Sequence, residues 1–212
     1  MQNSIGKAVK ATIIDVIVAL LFAFIIVLGI KLLAGSQIDT VTSLLNLISV
    51  KVDAKADNKI EVEVLDGKSQ FKTYPTIGQK YADLTIESAG ISLPVYFGDT
   101  LPILKNGVGH SSGSYFPGEG GSIVYCAHNS KDKFRNFSKI QKGDKVVVKT
   151  EYGTFTYQVY DMKVIQETDF ASLPIQKDKE ILMMYTCYPF NALGYTTQRY
   201  VVYTELVNWQ AV

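Results

Sequence analysis

Residues 181–190 read Ile-Leu-Met-Met-Tyr-Thr-Cys-Tyr-Pro-Phe. A short apolar run closed by a breaker predicts a buried strand over 181–186. Pro189 stops it, because proline has no N–H to give to a ladder. Cys187 therefore stands at a strand end beside a loop, where a side chain is held rigidly yet stays open to a substrate. The loop 191–198 leads to Arg199, 12 positions after the thiol, at the start of the next predicted strand, 199–207. If these two strands are neighbours, thiol and guanidinium share one rim of the sheet.

Working outward, strand signals dominate. Residues 122–127 form another short apolar strand ending at His128. The runs 145–150 and 155–165 flank Glu151-Tyr152-Gly153, and 81–86 and 91–96 flank Ser88-Ala89-Gly90, which predicts two hairpins. Residues 99–104 suit one helical turn. Residues 132–140 suit a short helix with Phe134, Phe137 and Ile140 on one face. The glycine- and serine-rich stretch 107–121 predicts an irregular loop. Lys59–Val64, closed by Asp66-Gly67, reads as a strand and turn or as a stalk. Seven or eight short strands with few helices predict an all-β fold, a closed or nearly closed β-barrel.

Composition narrows the function. The chain has 212 residues, enough for one ordinary domain and an appendage. With 21 Lys+Arg against 20 Asp+Glu, a broad phosphate-binding face is excluded as its main feature. Two cysteines exclude a disulfide-dense scaffold and a four-cysteine zinc knuckle. Reactive side chains are few: His110, His128, Cys126 and Cys187, with Arg135 and Arg199 the only arginines.

The N-terminal part has a different character. Val16 to Ile30 carries no charge, and the extended stretch 11–34 would span roughly 36 Å as a helix. Lys7 and Lys10 precede it, so the expected layout is a cytoplasmic tail at 1–10 and a transmembrane anchor at 11–34. An extracellular linker or stalk at 35–75 and a barrel domain at 76–212 follow. The protein is thus expected in the plasma membrane as a single-pass protein with its barrel outside. Ala34-Gly35-Ser36 keeps a cleaved signal peptide open as an alternative. Ile38, Val41, Leu44, Leu45 and Ile48 recur at helical spacing, suggesting a short amphipathic helix beyond the apolar run.

Thiol, imidazole and guanidinium at three strand ends suit acyl transfer. The thiol attacks, and the imidazole takes its proton and returns it to the leaving amine. The guanidinium offers fixed donors to an oxyanion or a peptide carbonyl. The bland alternative is equally compatible with composition and spacing: a membrane-anchored β-barrel binding module whose Cys187 is a buried small hydrophobe or is disulfide-bonded to Cys126. Cys126 lies within its strand and suits a packing position in the core. No acidic partner for His128 is evident from spacing.

Tyr185-Thr186-Cys187-Tyr188-Pro189-Phe190, followed by Gln198-Arg199-Tyr200-Val201-Val202, resembles the Thr-Cys then Arg signature of sortases. Gly107-Val108-Gly109-His110 through Pro117-Gly118-Glu119-Gly120-Gly121 to His128 is similar to the family's approach to its catalytic histidine. The resemblance covers roughly residues 76–207. It implies an eight-stranded closed barrel, with Cys187 as nucleophile, His128 as general acid/base and Arg199 as substrate and oxyanion stabiliser. Thr186 would shape the pocket, and His110 would lie outside catalysis. The implied reaction is transpeptidation, in which an LPxTG-like sorting signal is cleaved through a thioester and passed to a peptidoglycan-precursor or pilin amine. Tyr-Pro-Phe after the cysteine is most like class D. No cofactor is implied; some family members bind calcium, and Glu167 and Asp169 alone are too little to assert a metal site. No nucleic-acid partner is implied.

Overall fold

The computed structural model describes residues 21, 58–65, 67–192 and 194–212. The expected anchor at 11–34 lies outside the described residues except for Leu21, and the expected amphipathic helix at 38–48 lies wholly outside them. Among the described residues, no helix is long and apolar enough to cross a membrane.

Two strands, β1 (Glu61–Leu65) and β2 (Lys68–Thr73), form an antiparallel hairpin. The barrel strands are β3 (Lys80–Ile86), β4 (Ile91–Phe97), β5 (Val108–His110), β6 (Ser122–Cys126), β7 (Lys145–Thr150), β8 (Gly153–Gln166), β9 (Ile181–Tyr188) and β10 (Gln198–Ala211). They close in the order β10-β8-β7-β3-β4-β5-β6-β9. The all-β, closed, eight-stranded barrel expected from the sequence is thus the observed architecture. Two pairings are parallel, β4 with β5 and β6 with β9. A parallel pair needs a crossover, and the short helix α1 (Leu101–Asn106) supplies the one between β4 and β5.

Strand alternation sorts side chains to two faces. Ile123, Tyr125, Leu182, Met184 and Val202 join the main core inside the barrel. Their neighbours in sequence, Val124, Met183, Val201 and Tyr203, form a second buried cluster with Ile165 and Ile181 on the outer face. Leu173, from the connection between β8 and β9, and Tyr185 pack against this cluster. The β6-β9-β10 part of the sheet is therefore covered on both faces. That is why residues 181–186 read as a continuous apolar run rather than an alternating one.

Three local expectations change. The stretch 107–121 is not wholly irregular, since it contains β5. A three-residue strand with glycine at its centre has no periodic signal; Gly109 is fixed by tertiary fit, as a Cβ there would meet Leu104 Cδ2 at 2.6 Å and Gly98 O at 2.7 Å. The helix after His128 is 3₁₀, Phe134–Lys139, and three residues per turn bring Phe134 and Phe137 into a stack with centroids 4.1 Å apart. β9 runs past Cys187 to Tyr188.

The glycine-rich loop is fixed from inside. The buried Glu180 carboxylate accepts from Gly118 N–H, Gly120 N–H at 3.0 Å and the Tyr157 hydroxyl at 2.7 Å. Burial raises its pKa, and these three donors oppose the shift. The hairpin docks on the same loop through Ser69 N–H to Gly118 O, 2.7 Å, and through Phe71 and Tyr74 packed on Phe116.

Candidate active site

Register brings Cys187 and Arg199 together and sets β6, which leads to His128, beside β9. β9 and β10 pair with Cys187 directly opposite Arg199. Directly opposed residues project from the same face of a sheet. On the other side of β9, Cys126 of β6 pairs with Tyr185. One residue on, Ala127 N–H reaches Tyr185 O at 3.3 Å, and the Thr186 hydroxyl donates to Ala127 O at 2.8 Å. β6 ends at Cys126, and His128 follows two residues on, past the contacts that tie Ala127 to Tyr185 and Thr186 of β9. Alternation assigns Cys187 and Arg199 to the outer face, with Val124, Met183, Tyr185 and Val201. Cys187 and Arg199 thus lie near strand ends on the outside of the barrel wall.

The thiol of Cys187 is free and half-buried. The His128 imidazole is partly covered, and its Nε2 is buried with no hydrogen-bond partner. Burial lowers its pKa, Lys133 lowers it further and Asp132 opposes them. At neutral pH the ring is held uncharged, the form that can accept a proton from a thiol. Among the described residues, no hydrogen bond joins the three groups to one another. Their relation is held by the loops instead: Asn129 Nδ2 donates to Pro189 O at 3.1 Å, tying the turn after the histidine to the turn after the cysteine. Arg135 Nη2 steadies that turn through Asn129 O, 3.1 Å.

Arg199 is engaged. Nη2 donates to Glu167 Oε2 at 2.6 Å, and Nη1 to Thr196 O and Gln198 O at 2.7 and 2.9 Å. It lines a cavity of about 380 Å³ on the outer face with Ile165, Glu167, Phe170, Leu173 and Tyr185. Asp169 accepts from Ser172 Oγ at 2.7 Å, and among the described residues no cluster of three or more acidic, His or Cys side chains is placed to hold a metal ion.

The remaining candidates divide. Thr186 is only 1% exposed and faces inward. It does not line the outer cavity, and its contact is with the backbone that carries His128. His110 is buried in the core, with Nδ1 at 2.9 Å from the Tyr81 hydroxyl and Nε2 at 2.9 Å from Ser114 Oγ. Burial drives its pKa down to about 3. Cys126 is buried and free, but alternation places it on the outer face beside Tyr185 rather than in the barrel core, and burial pushes its thiol up to about 12. Glu167, Asn129 and Tyr195 were not singled out as site residues from spacing. The available signal was that Glu167 closely follows the predicted strand 155–165, but nothing in the sequence says that this strand flanks the one carrying Arg199.

The fold and this edge define a class: a closed β-barrel with a thiol and a guanidinium on two paired strands and an imidazole just past the end of the strand beside them. Comparison with known proteins gives the same class a family. The sortase domain profile matches residues 84–207. Sortase D of Bacillus subtilis strain 168 is 33% identical over 161 residues, covering 76% of this chain and 80% of that protein. Among solved structures, the Clostridium perfringens Sortase D5 transpeptidase matches with a TM-score of 0.57 and 27% identity over 63% of this chain and 82% of its own. The pilus-related Sortase C of Group B Streptococcus matches with a TM-score of 0.57 and 27% identity over 63% and 70%. The chain belongs to the sortase family, the cysteine transpeptidases.

Proposed function

We propose that this sortase cleaves surface proteins at an LPxTG-like sorting signal through a thioester on Cys187 and transfers them to an amino acceptor of the cell wall. In the first half-reaction the Cys187 sulfur attacks the scissile carbonyl carbon while His128 takes the thiol proton. A C–S bond forms, the peptide C–N bond breaks, and His128 protonates the departing amine. Arg199 stabilises the oxyanion between these events. In the second half-reaction an acceptor amine attacks the thioester, a new C–N bond replaces C–S, and the proton returns to the thiolate through His128. The observation that supports the proposal is the register: Arg199 pairs directly with Cys187, and β6, which leads to His128, runs beside β9.

Wall precursors and pilins both offer amines; likeness to a pilus-related sortase keeps the pilin acceptor in view. The proposed layout is a cytoplasmic tail at 1–10, an anchor at 11–34, a linker at 35–75 and an extracellular catalytic domain at 76–212. The anchor would hold the enzyme where both substrates emerge from the membrane.

The test incubates the full-length chain with a panel of sorting peptides, quenches in acid and weighs the protein. A peptide-sized adduct on Cys187 that glycine oligomers or pilin-derived lysines discharge supports the proposal. No adduct with any peptide, together with thiol labelling that finds Cys187 as inert as Cys126, favours a binding module. Cys187→Ala should abolish cleavage, and His128→Ala and Arg199→Ala should each lower it by at least about 100-fold to a residual rate while the chain stays folded. Full activity in Arg199→Ala would remove that residue from the mechanism.

A further inference from the structure

The proposed oxyanion donor is already held by other groups. An arginine has five N–H donors. Both protons of Arg199 Nη1 have acceptors, the carbonyls of Thr196 and Gln198, and one of Nη2 goes to Glu167. Nε–H and the second Nη2–H are left. Glu167 is in turn held from two sides. The Tyr195 hydroxyl donates to its Oε1, and its own N–H donates to Thr197 O at 2.8 Å. One carboxylate at the end of β8 thus gathers the guanidinium of β10 and a phenol from the loop between β9 and β10. The ion pair is largely covered, with side chains 18% and 26% exposed, in the wall of the outer cavity.

A free arginine side chain has rotamer entropy to lose when it is fixed. Donors stabilise a developing charge best when they are placed before the charge appears. The two carbonyls hold the guanidinium at its Nη1 end only, through neutral acceptors. A charge-assisted bond at Nη2 anchors the group at a second nitrogen and resists its swinging away.

We propose that Glu167 is a positioning residue for Arg199: its carboxylate, steadied by Tyr195, locks the guanidinium so that the Nε edge is the one presented to the scissile carbonyl. This rests on the role given to Arg199 above. It adds a charged partner for that arginine and assigns a task to the loop that carries Tyr195.

Two measurements on the full-length chain test it. The first is kinetic. Glu167→Gln keeps the shape and removes the charge, and should lower kcat for a sorting peptide about 10- to 100-fold with KM within about threefold. Tyr195→Phe should give a smaller loss in the same parameter. Glu167→Gln combined with Arg199→Ala should be no slower than Arg199→Ala alone, because the two act as one unit. The second needs no activity. The chain has two arginines, Arg135 and Arg199, so ¹⁵N-arginine labelling gives two guanidinium signal sets. Hindered rotation should be seen for Arg199 in the wild type and lost in Glu167→Gln, with Arg135 unchanged. Wild-type or raised kcat in Glu167→Gln, additive losses in the double variant, or an Arg199 signal that stays ordered would each overturn the proposal. A wild type that forms no adduct with any peptide strikes the transpeptidation scheme instead, and the labelling still decides whether Glu167 orders Arg199.

Discussion

The two histidines of this chain stand at the ends of neighbouring strands, β5 and β6, and in both burial pulls the imidazole pKa down. They differ in partners. His110 has both ring nitrogens occupied, by Tyr81 and Ser114, in a core where Phe116 lies edge-on at 4.4 Å. His128 keeps Nε2 buried and unpaired. An unpaired buried nitrogen costs stability, and a protein tolerates that cost where the group is needed for something else. Two residues of the same type thus divide: one has both nitrogens spent on the core, and the other keeps Nε2 unpaired, the difference on which the proposed role of His128 draws.

The largest expected effect separates them directly. His128→Ala should lower peptide cleavage by about 10²- to 10⁴-fold, the span for a general acid/base, while changing the unfolding midpoint little. His110→Leu should do the reverse, losing about 2–3 kcal/mol of stability because buried hydroxyls lose a partner. Urea melts and initial rates on both variants check this, and a His128→Ala variant that cleaves normally would erase the contrast. Next comes pH. His110 has its folded pKa near 3, below the ordinary 6.5. Between these values the unfolded chain binds a proton that the folded chain does not, so stability is complete above about pH 6.5 and falls as pH drops toward 3. The slope should approach about 1.4 kcal/mol per pH unit for one group. His128 shifts in the same direction and adds to it. Subtracting the urea-melt profile of His110→Leu from that of wild type isolates the first contribution; an unchanged slope would mean that His110 titrates normally.

Most of the barrel was legible because its strands are short apolar runs set off by turn residues. The hairpin turns at 87–90 and 151–153 carried their own chemistry, and the apolar run before Cys187 marked a strand covered on both faces. What stayed hidden depended on pairing between distant segments. β5 is too short, and too dependent on the close approach of Gly98 and Leu104, to leave a periodic trace. Cys187 and Arg199 could be placed together because consecutive strands usually pair. Their outward direction could not be read, since β9 is apolar on both faces. The pairing of Glu167 with Arg199 was hidden for a related reason: β8 lies beside β10, not beside the next strand in sequence, so its end meets Arg199 across 32 residues.

The smallest effect probes the ground beneath the two reactive groups. Cys126 shares the outer face with Cys187, and burial pushes its thiol to about 12, so at any working pH it is a neutral, packed side chain. Cys126→Ala removes one sulfur from beside Tyr185 and opens a small gap, at a cost of about 1 kcal/mol. Cleavage should stay within about threefold of wild type, because general acid/base and nucleophilic roles need a group that meets the substrate. Labelling sharpens the contrast: in wild type a small thiol reagent should modify Cys187 well before Cys126, and Cys126→Ala should keep the fast phase while losing the slow one. A large drop in cleavage at unchanged stability would instead make the packing under β6 and β9 part of what aligns His128 with Cys187, and would move Cys126 from filler to support of the site.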